Sequence, residues 1–164
     1  YLASLGHERI GYIIGHPDHG AVGARYRGYQ EGLSDAGIRF RKGLIGQGYN
    51  SFISGEEAAR QLLKRKVRPT AIFAGNDEMA AGAMKAAHEM GLTIPGDLSV
   101  AGFDDVPLAS QIWPSLTTIR QPIRAMSEKA ADILLNQIRG EPVNGLQMIP
   151  SVMVIRDSTG PIGG

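Results

Sequence analysis

Pro69-Thr70-Ala71-Ile72-Phe73-Ala74-Gly75-Asn76-Asp77-Glu78 is the stretch that decides the fold. Its first six residues are apolar, β-branched or small, which suits a strand covered on both faces. Gly75 breaks the run. Asn76 has the side chain of a helix cap, and Asp77 and Glu78 place negative charge in a first helical turn, where the helix dipole favours it. Helical spacing then continues to about residue 90, with Gly91 as its stop.

The same order recurs on both sides. Upstream, 9–14 is a short buried strand followed by a Gly/His/Pro loop. Val22, Tyr26, Tyr29 and Leu33 then mark a helix over 22–36, ended by Gly37. Residues 43–45 form a weak second strand. Ser54-Gly55-Glu56-Glu57 reads as a capping box that opens a helix to about residue 66. Downstream, 98–103 is a fourth strand. Strands separated by helices of about ten residues or more pair in parallel through right-handed crossovers. The expected fold class is therefore α/β, a doubly wound, mostly parallel sheet with helices on both faces. After Pro122 the rhythm changes to one long helix over 123–139, stopped by Gly140 and Pro142, and then a last strand over 148–155. The Gly/Pro-rich residues 158–164 are expected to be a disordered tail.

The 164 residues make one domain's worth of chain, 43% hydrophobic and 20% charged. Seventeen Lys and Arg stand against sixteen Asp and Glu, a net charge of +1, so the count shows none of the basic excess of a free-standing nucleic-acid binder. The absence of cysteine excludes disulfides, thiolate nucleophiles, cysteine-ligated zinc and iron–sulfur clusters. No apolar run approaches the roughly 20 residues of a membrane-spanning helix, and the first residues lack the basic flank of a signal peptide. Tyr1, Leu2 and Leu5 have the spacing of a helix's last turn, with Gly6 as its left-handed cap. The chain is therefore expected to open inside an element, as part of a longer polypeptide.

In open parallel sheets, ligands bind beyond the carboxyl ends of the strands. Three of those ends carry the densest polar clusters: 15–20 with Asp18 and, one turn into the next helix, Arg25; 75–78 with Asn76; and Asp104-Asp105. Carboxylate, amide and guanidinium groups together suit a small polar or polyhydroxylated ligand. Each has a plainer role open to it. Asn76 can cap its helix, the Asp pair can form a turn before Pro107, and Arg25 can be a solvated helix residue. His16 and His19 flank Asp18 without a third ligand, so no metal site is assigned, and no cofactor is implied. His7 and His88 read as surface or helix-end residues. Phosphate-loop, dinucleotide, nucleophile-elbow and zinc-protease signatures are all missing, and the chain is not read as an enzyme.

Several motifs resemble those of lactose-repressor-type (LacI/GalR) bacterial transcription regulators: Leu5-Gly6-His7 before Ile10-Gly11-Tyr12-Ile13; Arg25-x-x-Gly28-Tyr29; 69–77; Ile94-Pro95-x-Asp97-Leu98-Ser99-Val100-x-Gly102-Phe103-Asp104-Asp105; and Pro114-x-Leu116-Thr117-Thr118-Ile119. The match runs in order over nearly the whole chain. Met126 is followed by Ser127 where the family usually has Gly. The resemblance implies a type I periplasmic-binding-protein-like fold, with 1–117 as the carboxy-terminal effector-binding subdomain. It implies that 118–145 is a crossover and helix of the amino-terminal subdomain and that 146–157 is a return strand. The DNA-binding domain is expected to lie outside this sequence.

It further implies Arg25, Asn76 and Asp104 as effector contacts. Tyr49 or Phe52 would stack on the ligand, although the spacing to Ser54-Gly55 is one residue longer than the family's. Ala80, Ala81, Met84, Leu108 and Ile112 would line a homodimer surface, with core packing the alternative role for both segments. The function so implied is the small-molecule-sensing domain of a cytoplasmic regulator, a repressor answering to a sugar or sugar-acid and touching operator DNA only through the absent domain. The alternative is a periplasmic sugar-binding protein of a transporter.

Overall fold

The computed structural model describes residues 1–142 and 145–163. Four short parallel strands, β1 (Ile10–Ile14), β2 (Ile45–Gln47), β3 (Ala71–Ala74) and β4 (Ser99–Ala101), form a sheet in the order β2-β1-β3-β4. Tyr12 pairs with Ile45, Ile10 with Ala71 and Ala71 with Ser99, so the strands start at one end and finish at the other. Helix α1 (Gly20–Asp35) covers one face through Tyr29 and Leu33, which pack on Ile10, Tyr12 and Ala71. Helices α2 (Phe52–Leu63) and α3 (Asp77–Glu89) cover the other with Ala58, Leu62, Met79 and Ala83 on Ile13, Ile72 and Val100. The alternation of side chains along the strands makes this two-sided core possible. The chain has the expected fold class.

Glycines set how closely α2 and α3 approach. A Cβ on Gly55 would stand 2.3 Å from the Met79 Cα, and one on Gly82 would stand 2.1 Å from the Phe52 carbonyl oxygen. The helices therefore cross nearly backbone to backbone, with small side chains filling the seam. On the opposite face, the rings of Tyr12, Tyr26 and Tyr29 stack, the Tyr12–Tyr29 centroids being 4.8 Å apart. Burial pushes the Tyr12 and Tyr29 hydroxyls up to about 12. Tyr29 donates to the Ile10 carbonyl at 2.9 Å.

The short helix α4 (Pro107–Gln111), which the sequence reading did not include, precedes β5 (Thr118–Arg120). β5 occupies the stretch expected to be a plain crossover. It first runs beside β4, with the Gly102 and Asp104 amides donating to the Thr117 and Ile119 carbonyls at 2.9 Å, and then pairs antiparallel with β6 (Val152–Val154). Between them lies α5 (Ile123–Ile138), whose stripe stays open: Ile123, Met126, Leu134 and Ile138 are all exposed. Among the described residues no helix is long and apolar enough to cross a membrane.

Four expectations need correction. The helix after β2 begins at Phe52, capped by Ser51, with Ser54 at the third helical position closing the box in return; Ser54 is not the cap and Glu57 does not complete the box. Leu5 ends a single 3-10 turn (Ala3–Leu5) that Leu2 precedes as cap and Tyr1 lies outside, although Gly6 does adopt the left-handed conformation, at φ 90°. His7 is buried, with Nδ1 3.0 Å from Thr70 Oγ1 and Nε2 3.0 Å from the Gly160 carbonyl and 3.1 Å from Ser99 Oγ.

The expected disordered tail is the fourth. Ser158 is fully buried, giving its hydroxyl to the Val100 carbonyl at 2.6 Å and accepting the Thr117 amide at 2.8 Å, and Ile162 N–H reaches the Leu5 carbonyl. Residues 158–160 are thus held along β4 by one backbone hydrogen bond and by the hydroxyls of Ser158 and Ser99, and Ile162 is held by Leu5, contacts that composition does not reveal. Gly164, along with 143–144 of the expected crossover, lies outside the described residues.

Candidate functional site

The carboxyl ends of all four strands meet at one rim, where polar side chains tie them together. Arg25, in the second turn of α1, is the centre. Its Nη1 donates to the Gly75 carbonyl at 2.7 Å, its Nη2 lies 3.4 Å from Asp104 Oδ1, and its guanidinium sits 3.9 Å above the Phe103 ring. Gln121 Nε2 reaches the same Asp104 oxygen at 2.6 Å. The Asp104 carboxyl is raised by burial, with Arg25 and Gln121 pulling it back. A carboxylate that is half out of water and shares two donors is ready to exchange one of them for a ligand hydroxyl.

Asn76 performs two tasks. Its Oδ1 accepts the Met79 amide at 2.9 Å and caps α3, while its Nδ2 donates to the Asn50 carbonyl at 3.1 Å. Asn50 in turn accepts the His16 amide on Oδ1 at 3.2 Å. Gly15 makes this crossing possible, since a Cβ there would meet Asn50 Oδ1 at 2.2 Å. Tyr49, more than half exposed, lies edge-on to His16 with ring centroids 5.8 Å apart.

The three non-glycine residues with positive φ among the described residues are Asn50 (60°), Asp104 (120°) and Asp105 (58°), and all belong to this rim. Such conformations cost free energy and persist where the surroundings enforce them, commonly at binding sites. Asp105 faces away from Asp104's partners. Its carboxylate pairs with Arg156 at 2.6 Å and Arg120 at 2.5 Å. Burial pushes it up, but the two ion pairs together outweigh that and hold it below the usual carboxylate range. Asp77, at the start of α3, is buried, accepts from Thr118 Oγ1 and from the Val106 amide at 2.9 Å, and is raised by that burial.

The structure thus brings Arg25, Asn76 and Asp104 to one rim and sets Tyr49 beside it. Asp18 is not drawn in; its carboxylate is 86% exposed and, among the described residues, its one charged neighbour is His16, at 3.7 Å. Phe52 stands on the first turn of α2 with its carbonyl against Gly82. Gln121 and Asn50 were missed, although each is a polar residue at the end of a strand or its following loop. Among the described residues no three His, Asp or Glu side chains form a metal-sized cluster. Ala80, Ala81 and Met84, expected at a partner surface, are buried in the core. Leu108 and Ile112 are partly exposed, and the neighbouring Trp113 is 90% exposed.

Residues 1–159 match the family model described as a periplasmic binding protein-like domain. The chain is 39% identical over 155 residues to the HTH-type transcriptional repressor PurR of Erwinia tasmaniensis, covering 93% of this chain and 46% of that protein. It is equally 39% identical to the ribose operon repressor of Escherichia coli, over 93% of this chain and 47% of that protein. A LacI-family regulatory protein from Chloroflexus aggregans superposes with a TM-score of 0.91 at 37% identity, over 98% of this chain and 58% of that one. A dimeric Lac repressor gives 0.92 at 34% identity, with the same coverage. The chain spans about half the length of the curated relatives it matches.

Proposed function

The chain belongs to the periplasmic binding protein-like domain family, and from that premise we propose that it is the effector-sensing part of a bacterial transcription regulator of the lactose-repressor type. The observation that carries this reading is the Arg25–Asp104–Gln121 cluster at the sheet's carboxyl edge, in a chain whose relatives are named repressors along its length. Those relatives favour a regulator over the binding protein of a transporter.

The effector is a sugar or sugar-acid. A carboxylate, an amide and a guanidinium gathered at one rim match hydroxyls on neighbouring carbons. Tyr49 supplies an apolar face beside them. Ligand binding at Arg25, Asn76, Asp104 and Tyr49 biases two arrangements of a hinged domain, and the operator-reading part of the full protein gains or loses affinity. The regulator works in the cytoplasm as a homodimer, pairing in part through Leu108, Ile112 and the exposed Trp113. No cofactor takes part and no reaction is catalysed.

A thermal-shift panel of pentoses, hexoses, aldonates, nucleosides and purines tests the ligand class. A ligand at about a hundred times its Kd adds about 2.7 kcal/mol of stability, a plain upward shift in Tm. Stabilisation by sugars or aldonates supports the reading. Stabilisation by purines alone overturns it.

A further inference from the structure

The end of the sheet opposite the rim holds a second feature. All four strands run the same way, so every segment entering a strand returns to that end. Residues 39–42, before β2, bring three cations, residues 64–68, before β3, bring four, and Arg9, before β1, lies between them. Eight of the chain's seventeen Lys and Arg thus collect at one pole of a protein whose net charge is only +1. The segments that carry the two runs enter β2 and β3, which flank β1, and come together there. Leu44 and Pro69 both approach Gly11, Arg65 Nη1 lies 3.4 Å from where a Gly43 Cβ would be, and Arg9 Nε donates to the Arg68 carbonyl at 3.1 Å.

Among the described residues none of these eight cations forms an ion pair. The acids of that end are Glu8, Asp35, Glu89 and Asp97; Glu89 is taken up by Arg60 and Lys85, and Asp97 is engaged by Thr93 with Arg68 near enough to favour its charge. Helix dipoles account for part of the arrangement, because cations near a helix carboxyl end are favoured, and Lys64 directly follows α2. That attraction fades within a turn and leaves 39–42 unexplained. An open polar cavity of about 600 Å³ lies at the same end, lined in part by His7, Glu8, Arg39 and Arg41. Phe40, between Arg39 and Arg41, is 38% exposed, and Val67 is 55% exposed.

We propose that this pole is a sequence-independent docking surface for nucleic acid, gripping its phosphodiester backbone. Arg predominates, and its planar fork suits phosphate. An exposed aromatic set among cations is the arrangement on which unpaired bases stack. Nucleic acid is thereby favoured over an acidic protein. The surface is at the far end of the strands from the rim, so its occupancy does not compete with an effector, and the inference stands apart from the identity of that effector.

Fluorescence anisotropy with short labelled oligonucleotides of arbitrary sequence, duplex and single-stranded, tests it on this chain. Binding is expected at low salt, with affinity falling by roughly 0.9 decade per decade of salt for each phosphate neutralised on a duplex. The combined Arg39→Glu, Arg41→Glu and Arg65→Glu variant is expected to bind at least about tenfold more weakly, while Lys129→Glu on α5 binds as the parent does. The pair Lys64→Glu and Lys66→Glu, exposed beyond the end of α2, gives the same readout should the triple variant fail to fold. Phe40→Ala is expected to weaken the single strand selectively. The proposal is overturned by the absence of salt-dependent binding, by pole variants that bind as the parent does, or by polyglutamate displacing the oligonucleotide as readily as unlabelled DNA of equal charge.

Discussion

Arg25 and Asp104, contributed by α1 and by the turn after β4, face each other 3.4 Å apart, and each is also held by a third group. The Gly75 carbonyl takes one arm of the guanidinium, and Gln121 shares the carboxylate oxygen. The pair therefore joins three strand ends and remains partly open to solvent. Arg25→Ala removes a charged hydrogen bond worth about 1.5–3 kcal/mol to whatever ligand uses it. Affinity for the sugar that stabilises the parent protein should fall at least about tenfold by calorimetric titration. An unchanged affinity removes Arg25 from the site.

Gly82 and Gly32 should respond in opposite directions. Gly82→Ala drives a methyl group into the Phe52 carbonyl and Gly55→Ala into the Met79 backbone, so neither helix can yield by rotating a side chain. Gly82→Ala should cost about 3 kcal/mol or more in urea unfolding, the upper range for overpacking. Gly32, inside α1 with nothing within 4 Å of an added Cβ, should gain up to about 1 kcal/mol on conversion to Ala. Equal effects at the two sites contradict the close helix crossing.

Burial lowers the His7 pKa below its ordinary 6.5, against the pull of the Gly160 carbonyl. The folded state therefore favours the neutral ring, and the unfolded chain takes up the proton first as pH falls. His7's contribution is complete above about pH 6.5 and is lost on acidification through the interval down to the folded value. In melting curves from about pH 5 to about pH 8, the stability advantage of the parent over His7→Gln should shrink toward the acid end. An advantage that does not vary with pH means the ring is not held neutral.

The open stripe of α5 predicts self-association of this chain. Leu134 and Ile138 are 57% and 73% exposed, on the same helix face as Met126. Contiguous apolar surface of this kind is normally covered. Leu134→Glu with Ile138→Glu should shift sedimentation toward the monomer without lowering Tm, because neither residue belongs to the core. A parent chain that sediments as a monomer at every concentration refutes it.

The alternation of strand and helix was legible because it depends on local periodicity, and with it came the rim, since strand ends locate polar turns. Arg25, Asn76 and Asp104 followed from that rule. The corrections share a different cause. His7 was read as a surface residue because its three partners come from residues 70, 99 and 160, which no local pattern connects. Residues 158–163 have the composition of a tail, and partners as distant in sequence as Leu5, Val100 and Thr117 make them part of the fold. Ser51 and Ser54 both suit a helix cap, and local spacing alone does not choose between them. Overall charge balance concealed the basic pole because it sums over the chain, whereas parallel topology sorts the charges by end.

Asp105 fastens Arg120 on one strand of the β5–β6 ribbon and Arg156 just beyond the other. A clamp across both legs ties the ribbon to the loop that carries Asp104. Gln121 is then the first residue past the clamp and a partner of Asp104, so a ligand that takes that carboxylate from its amide also releases the chain where it leaves the ribbon.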